Sequence, residues 1–171
     1  MSAQREIIPN RIGVFSLSWN YKSILLWSHY ADSHKGYCVG FNVGKLKRFC
    51  EKTFLEHQET ISLEEVRYQE KYPFINAYKL SSDERLKCQL LTKSPEWQYE
   101  KEYRLIWFLG ANNRLRIDDG IIRRVILGCR MTSADKDEII SILKTRKDRI
   151  YLYEAKERRD SFGLDFRFVK Y

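Results

Sequence analysis

Two short stretches hold most of the residues able to do chemistry. The first is Leu26–Phe41, LWSHYADSHKGYCVGF, which carries two of the three histidines, His29 and His34, beside Trp27 and Tyr30. Neutral imidazoles serve as general bases or as metal ligands. A metal-binding pair on one helix face sits at i, i+4, whereas these two are at i, i+5, about 140° apart around a helix. No metal is therefore expected from them. The plainer alternative makes His29 a hydrogen-bonded core histidine and His34 a cation at a helix end.

The second stretch is Lys93–Arg104, KSPEWQYEKEYR. Glu100, Glu102 and Arg104 alternate, so in a strand they share one face. In an active site, one carboxylate polarises a hydroxyl while arginine holds a phosphate or orients the base. Lys93 is a second phosphate holder, and Trp97 with Tyr99 a stacking wall. On this reading His29, Glu100 and Glu102 are the catalytic groups. The alternatives are a solvated strand face in which Arg104 neutralises Glu102, or a buried network joining His29, Glu100, Glu102 and Arg104. Ser16 and Ser18 share one face of an earlier strand and are a weak signal alone. There is no GxSxG elbow, P-loop or GxGxxG.

The elements that must position these groups follow from periodicity. Ile12–Ser18 alternates as a strand does. A helix is expected from Tyr21, with Ile24, Trp27 and Ala31 inward and Leu25 widening the stripe. Its end falls at Ser33–Lys35, with Gly36 in the left-handed position after the cap. Tyr37–Phe41 reads as a short buried strand, Val43–Phe54 as an amphipathic helix and Ile61–Tyr68 as a strand. Pro73 opens a long helix to Leu91, with Ser81–Glu84 as its exposed middle or a break. Glu102–Leu109 is a strong strand and pairs with Arg114–Ile117 across an Asn112-Asn113 turn. Asp119-Gly120 turns the chain into Ile121–Cys129, a central strand. Thr132 or Ser133 caps a helix to about Arg146, with Ile139, Ile140, Leu143 and Ile142 inward. Ile150–Glu154 and Leu164–Val169 are the last strands. The sum is an α+β fold: a mixed or mostly antiparallel sheet with three or four packed helices. One domain spans 1–171, with residues 1–11 as a flexible arm.

Composition narrows the function classes. The chain has 171 residues, 43% hydrophobic and 32% charged, which suits a folded domain rather than a disordered one. Its net charge of +8 favours polyanionic partners: nucleic acid, nucleotides and other phosphate-bearing ligands, or acidic protein surfaces. The alternative is a solvated basic surface, and the longest cluster, Lys144–Arg149, is interrupted by Thr145 and Asp148. The four cysteines (Cys38, Cys50, Cys88, Cys129) form no CxxC. They predict reduced thiols and a cytoplasmic location, with Cys38 and Cys129 as small core residues. No apolar run approaches the ~20 residues of a membrane span, and MSAQREIIPNR lacks the apolar centre of a signal peptide.

The ordered set FSLS, LLWSHYADSHKGYCVGFN, K-x-x-x-W-x-Y-E-x-E-Y-R and VILG resembles a bacterial family catalogued as domain of unknown function 2971. The resemblance runs from about Gly13 to the C-terminal strands. It implies that Trp27, His29, Tyr30, His34, Gly36, Lys93, Trp97, Glu100, Glu102 and Arg104 belong to a shared pattern, and it supplies no reaction. Members usually begin with an aromatic-rich strand and an Asn-Asp-Pro-Phe-like motif. Neither precedes Gly13, so the resemblance implies either a shortened member or a sequence from which the start has been left out.

A fainter similarity is to ADP-ribosyltransferases, which carry a strand Ser-Thr-Ser motif and a later Glu-x-Glu. Ser16-Leu17-Ser18 and Glu100-Lys101-Glu102 stand in that order. This implies NAD as the cofactor. Glu102 would hold the nicotinamide ribose and stabilise the transition state, and Glu100 would activate the acceptor.

Overall fold

The computed structural model describes residues 11–57, 60–73, 75 and 78–171. The expected arm lies almost wholly outside the described residues. Within them the chain forms nine strands, four α-helices and one 3-10 helix, an α+β architecture with mostly antiparallel pairing. The contacts divide it into two compact units.

The first unit takes the chain up to Asn20 together with Cys50–Leu115. Its sheet has the order β1-β6-β3, from Ile12–Ser18, Glu102–Phe108 and Ile61–Glu65. Both pairings are antiparallel, and β1 runs in register from Ile12 opposite Phe108 to Ser18 opposite Glu102. The central strand is the one richest in aromatic and aliphatic residues, as strand preference requires, and it buries Leu105 and Ile106. A two-residue strand, β4 (Arg67–Tyr68), pairs in parallel with β5 (Thr92–Lys93). Between them a short helix covers Ser82–Leu90. Pro95–Glu100 then forms the 3-10 helix.

Three expectations change here. The helix drawn from Pro73 begins only at Ser82, because Ser81 is its cap. Ser81 Oγ accepts from Glu84 N (3.3 Å), and the Glu84 carboxylate accepts from Ser81 N (2.8 Å). This reciprocal box ends whatever precedes it. Residues 74, 76 and 77 of the expected helix lie outside the described residues. Arg114–Ile117 forms no strand, and β6 pairs with β1 and β3 instead. The Ile61–Tyr68 strand divides at Val66 into β3 and β4.

The second unit takes Tyr21–Phe49 and Arg116–Tyr171. Its sheet has the order β2-β7-β8-β9, from Tyr37–Phe41, Ile122–Leu127, Tyr151–Glu157 and Leu164–Val169. Only β7 and β8 are parallel, and the helix Ser133–Thr145 lies between them in sequence, as a parallel crossover needs. Residue alternation splits the sheet into two faces. One packs Val125, Leu127 and Leu152 with Met131, Leu143 and Ile150. The other packs Ile126, Ala155 and Leu164 with Trp27 and Ala31. Cys38 and Cys129 sit partly buried against this second cluster, and all four cysteines are free thiols. Ile142 is exposed, contrary to the expected inward face.

The helix α1 (Ile24–Tyr30) is capped by Ser23 and buries Trp27, while Ile24 and Leu25 stay exposed. Its stripe is therefore narrower than its sequence suggests. After it, Asp32, Ser33 and His34 all take positive φ (44°, 52° and 71°). The left-handed exit therefore falls on three non-glycine residues, not on Gly36 as expected. Such residues cost roughly 1–2 kcal/mol each. The turn is held by Gly36 N donating to Ala31 O (2.8 Å), Gly128 N to Gly36 O (2.9 Å) and Arg130 N to His34 O (3.1 Å). A Cβ at Gly36 would lie 3.1–3.2 Å from the Ala31 backbone, a tight approach that favours glycine there. No helix among the described residues is long and apolar enough to cross a membrane.

A Cβ at Gly128 would sit 2.0 Å from His34 O, a backbone atom with nowhere to go. Gly128→Ala is expected to cost about 1–3 kcal/mol by overpacking. The midpoint of urea unfolding measures it, and an unchanged midpoint would show that the turn is not pinned there.

Candidate functional site

The ionisable residues of Lys93–Arg104 fold into one ion network inside the first unit. Pro95 starts the 3-10 helix, and Lys101, with φ 45°, ends it by reversing the chain. That reversal places Glu100 at the end of a helix and Glu102 at the start of β6, so the simple alternation expected across all three residues holds only for Glu102 and Arg104. Glu102 Oε1 accepts from Arg104 Nε (2.8 Å), and its Oε2 accepts from Arg104 Nη2 (3.1 Å) and Lys93 Nζ (3.1 Å). Lys93 Nζ also donates to Glu100 Oε2, and Arg104 Nη1 to the Leu90 carbonyl. The Lys93 ammonium stands 4.6 Å from the Trp97 ring centre, a cation–π contact.

The backbone is fastened to the same point. Ser18 Oγ donates to Glu100 O (2.5 Å), Glu102 N donates to the Tyr68 hydroxyl (2.8 Å) and Asn20 Nδ2 donates to Tyr99 O (3.2 Å). Glu100 and Glu102 are each 4% exposed, so neither carboxylate is presented to a ligand in this conformation.

Two anions and two cations balance. Burial alone would raise the Glu102 pKa, but hydrogen bonds from Arg104, Ser16 and Lys93 outweigh it and hold the carboxyl below its usual range. Burial likewise opposes charge on Lys93, and its bonds to Glu100 and Glu102 reverse that and push its pKa up. Tyr68 is raised by burial.

His29, Tyr30 and His34 belong to the second unit. His29 is exposed on α1 and meets the edge of the Tyr30 ring at 6.3 Å, so it is neither a core histidine nor a member of the buried network. His34 is half-buried in the left-handed turn. Burial, then the nearby Arg130 charge, lowers its pKa, with Glu157 opposing them, so the surroundings disfavour the expected helix-end cation. Among the described residues no group of three or more His, Cys, Asp or Glu side chains is gathered as a metal ion would require.

Sequence reasoning missed a third place. The second unit has a cleft of about 330 Å³ lined by Tyr21, Lys22, Arg124, Tyr153, Arg158 and Phe166, with Ile126 and Leu164 in its wall. The Tyr21 and Phe166 rings meet at 5.2 Å and 60°. The Arg124 guanidinium stands 5.6 Å from the Tyr21 ring centre. Gly40 makes room for it, since a Cβ there would lie 2.5 Å from Arg124 Cγ. Asp165 also lines the cleft and pairs with Arg158 (2.9 Å). The signal was available: Arg124 and Ile126 in β7, Tyr151 and Tyr153 in β8, and Phe166 and Phe168 in β9 each occupy one face by period two.

Residues 26–105 match a family model described as Protein of unknown function (DUF2971). The match includes both chemistry-bearing stretches. No curated protein and no solved structure matches the chain.

Glu102→Gln is expected to cost about 3 kcal/mol, the low end for breaking a buried pair. The low end applies because Lys93 and Arg104 keep 21% and 19% of their side chains in solvent. The depressed Glu102 pKa adds a sign. Its stabilisation is present above the unfolded carboxyl pKa of about 4.3 and is lost as pH falls through the lower folded value. Urea unfolding from pH 7 to pH 3 should therefore show a steeper acid loss in the parent than in Glu102→Gln. Identical profiles would remove the network's role in stability.

Proposed function

We propose that this chain, whose residues 26–105 match the DUF2971 family model, is a binding module for a phosphate-bearing ligand, a nucleotide or nucleic acid. The Lys93–Glu100–Glu102–Arg104 network is then its structural clamp. The observation that carries this reading is the cleft of the second unit, where Lys22, Arg124 and Arg158 stand beside the rings of Tyr21, Tyr153 and Phe166. Such a set offers charge to a phosphate and a flat face to a base. The +8 net charge supports it by attracting polyanions over the whole surface. The 4% exposure of both carboxylates argues against their reaching a substrate.

A second reading keeps group transfer from NAD. It is favoured by the register of β1 on β6, which sets Ser18 opposite Glu102 and Ser16 opposite Arg104, with Ser16 hydrogen-bonded to Glu102. Serines beside the second glutamate of a Glu-x-Glu are what the transferase resemblance asks for. NAD would then have to enter by displacing Lys93 from the carboxylates.

One calorimetric titration separates the two. On the binding reading ADP binds at low salt and its affinity falls as salt screens the cations. Arg124→Gln weakens it at least about tenfold, the loss of a charged hydrogen bond. NAD is not turned over by either the parent or Glu102→Gln. Turnover of NAD that Glu102→Gln abolishes would favour transfer. ADP affinity that is absent at low salt, or unmoved by salt, would end the binding reading.

A further inference from the structure

The cleft is one end of a longer row of rings. Tyr151 and Tyr153 stand two apart on β8 and so share a face. Phe168 lies opposite Tyr153 in the neighbouring β9, and Phe166 follows two residues away opposite Ala155. The ring centres of Tyr153 and Phe168 are 5.8 Å apart, and those of Tyr151 and Phe168 are 6.4 Å apart. The row thus runs Tyr151, Phe168, Tyr153 and on to Phe166 and Tyr21 in the cleft. Phe168 is 56% exposed, whereas Leu152 and Leu164 on the same strands are buried.

Cations flank the row at its far end too. The Arg123 guanidinium stands 4.5 Å from the Tyr151 ring centre and that of Arg149 stands 5.4 Å away. Of the neighbouring carboxylates, Glu157 pairs with Arg130 and Asp148 with Arg146, while Asp165 pairs with Arg158 and leaves Arg124 and Lys22 to carry the cleft's positive charge. The row therefore has an apolar π surface between two groups of arginines.

Building on the phosphate-binding reading above, we infer that the ligand is a single-stranded nucleic acid lying across β8 and β9. One base stacks in the Tyr21–Phe166 cleft and a following base on Phe168 and Tyr151, and the arginines at both ends take the phosphates. A single strand offers unpaired base faces to a sheet carrying aromatic side chains, whereas a duplex keeps its base faces stacked on one another. A mononucleotide fills the cleft and leaves the Tyr151–Phe168 end unused. The complementarity of charge and the length of the row select the single strand over both.

The test is fluorescence anisotropy with a labelled oligothymidylate, the matching oligouridylate, a hairpin duplex with the same number of phosphates, and ADP as competitor. Both single strands are expected to bind more tightly than ADP and than the duplex. Phe168→Ala and Tyr151→Ala should each weaken the oligomers about tenfold, the loss of one stacked base, and leave ADP binding unchanged. Phe168→Leu keeps the apolar bulk without the π face, so it must show the same loss, and circular dichroism checks that each variant is folded. Equal affinity for the two oligomers ties recognition to base and phosphate, and tighter uridylate binding adds the ribose hydroxyl; either fits the inference. ADP binding with no gain for the oligomers, duplex binding as tight as single strand, or full oligomer affinity in Phe168→Leu would overturn the single-strand inference and leave the phosphate-binding reading intact. Failure of ADP and both oligomers to bind would overturn both.

Discussion

Two glutamates buried two residues apart are a constraint that the rest of the first unit has to satisfy. Like charges in a poorly solvated site cannot both stay ionised without cations in contact. Lys93 answers Glu100 and Glu102 together, and Arg104 answers Glu102 through two parallel bonds. Because Lys93 sits on β5, Glu100 on the 3-10 helix and Arg104 on β6, this single requirement draws three elements to one point. Ser18 from β1 and Tyr68 from β4 then fasten to the backbone of Glu100 and Glu102. The left-handed Lys101 is the bend that lets both carboxylates turn the same way. The residues of this pattern are those of acid–base chemistry, and here they are buried and satisfied by one another.

The second unit works on a different rule. One face of its sheet is covered by the Ser133–Thr145 helix over an apolar cluster, with the Lys136–Glu154 ion pair (2.6 Å) joining helix to strand beside it. The opposite face changes character along its length. Near Trp27 and Ala31 it is core, and toward Arg124, Tyr151 and Phe168 it carries rings and guanidinium groups. The rings pack against one another and under the arginines, so this end is ordered without being sealed. Stacking surfaces of that kind are tolerant of which base they meet, and charge supplies the remainder of the affinity.

Legibility in the sequence followed from how local each determinant is. The strand Leu164–Val169 and the helix capped by Thr132 could be read directly, because alternation and capping are decided within a few residues. The break that Ser81–Glu84 offered in the expected helix from Pro73 is where the described helix begins, because Ser81 and Glu84 form a capping box. Gly36 was read as a helix stop, yet its smallness serves the approach of the Ala31 backbone, a fact of tertiary packing. The grouping of Lys93 with Glu100, Glu102 and Arg104 was visible as a motif, while its burial was not, because that depends on groups outside the motif such as Tyr68 on β4 and the Leu90 carbonyl. The cleft was invisible as a motif since Tyr21, Arg124, Tyr153 and Phe166 come from four separate segments. Only the shared face of three strands unites them.

The most direct measurement is where a nucleotide lands. In a nuclear magnetic resonance titration with ADP, side-chain resonances report each place separately. Trp27 Nε1 donates to Tyr21 O at 2.8 Å and so senses the cleft, as does Arg124 Nε. Trp97, beneath the Lys93 ammonium, senses the ion network. The account predicts that Trp27 and Arg124 shift with saturation while the Trp97 indole stays in place. A saturating shift at Trp97 and Arg104 with Trp27 and Arg124 unmoved would contradict it and return the chemistry to the carboxylates.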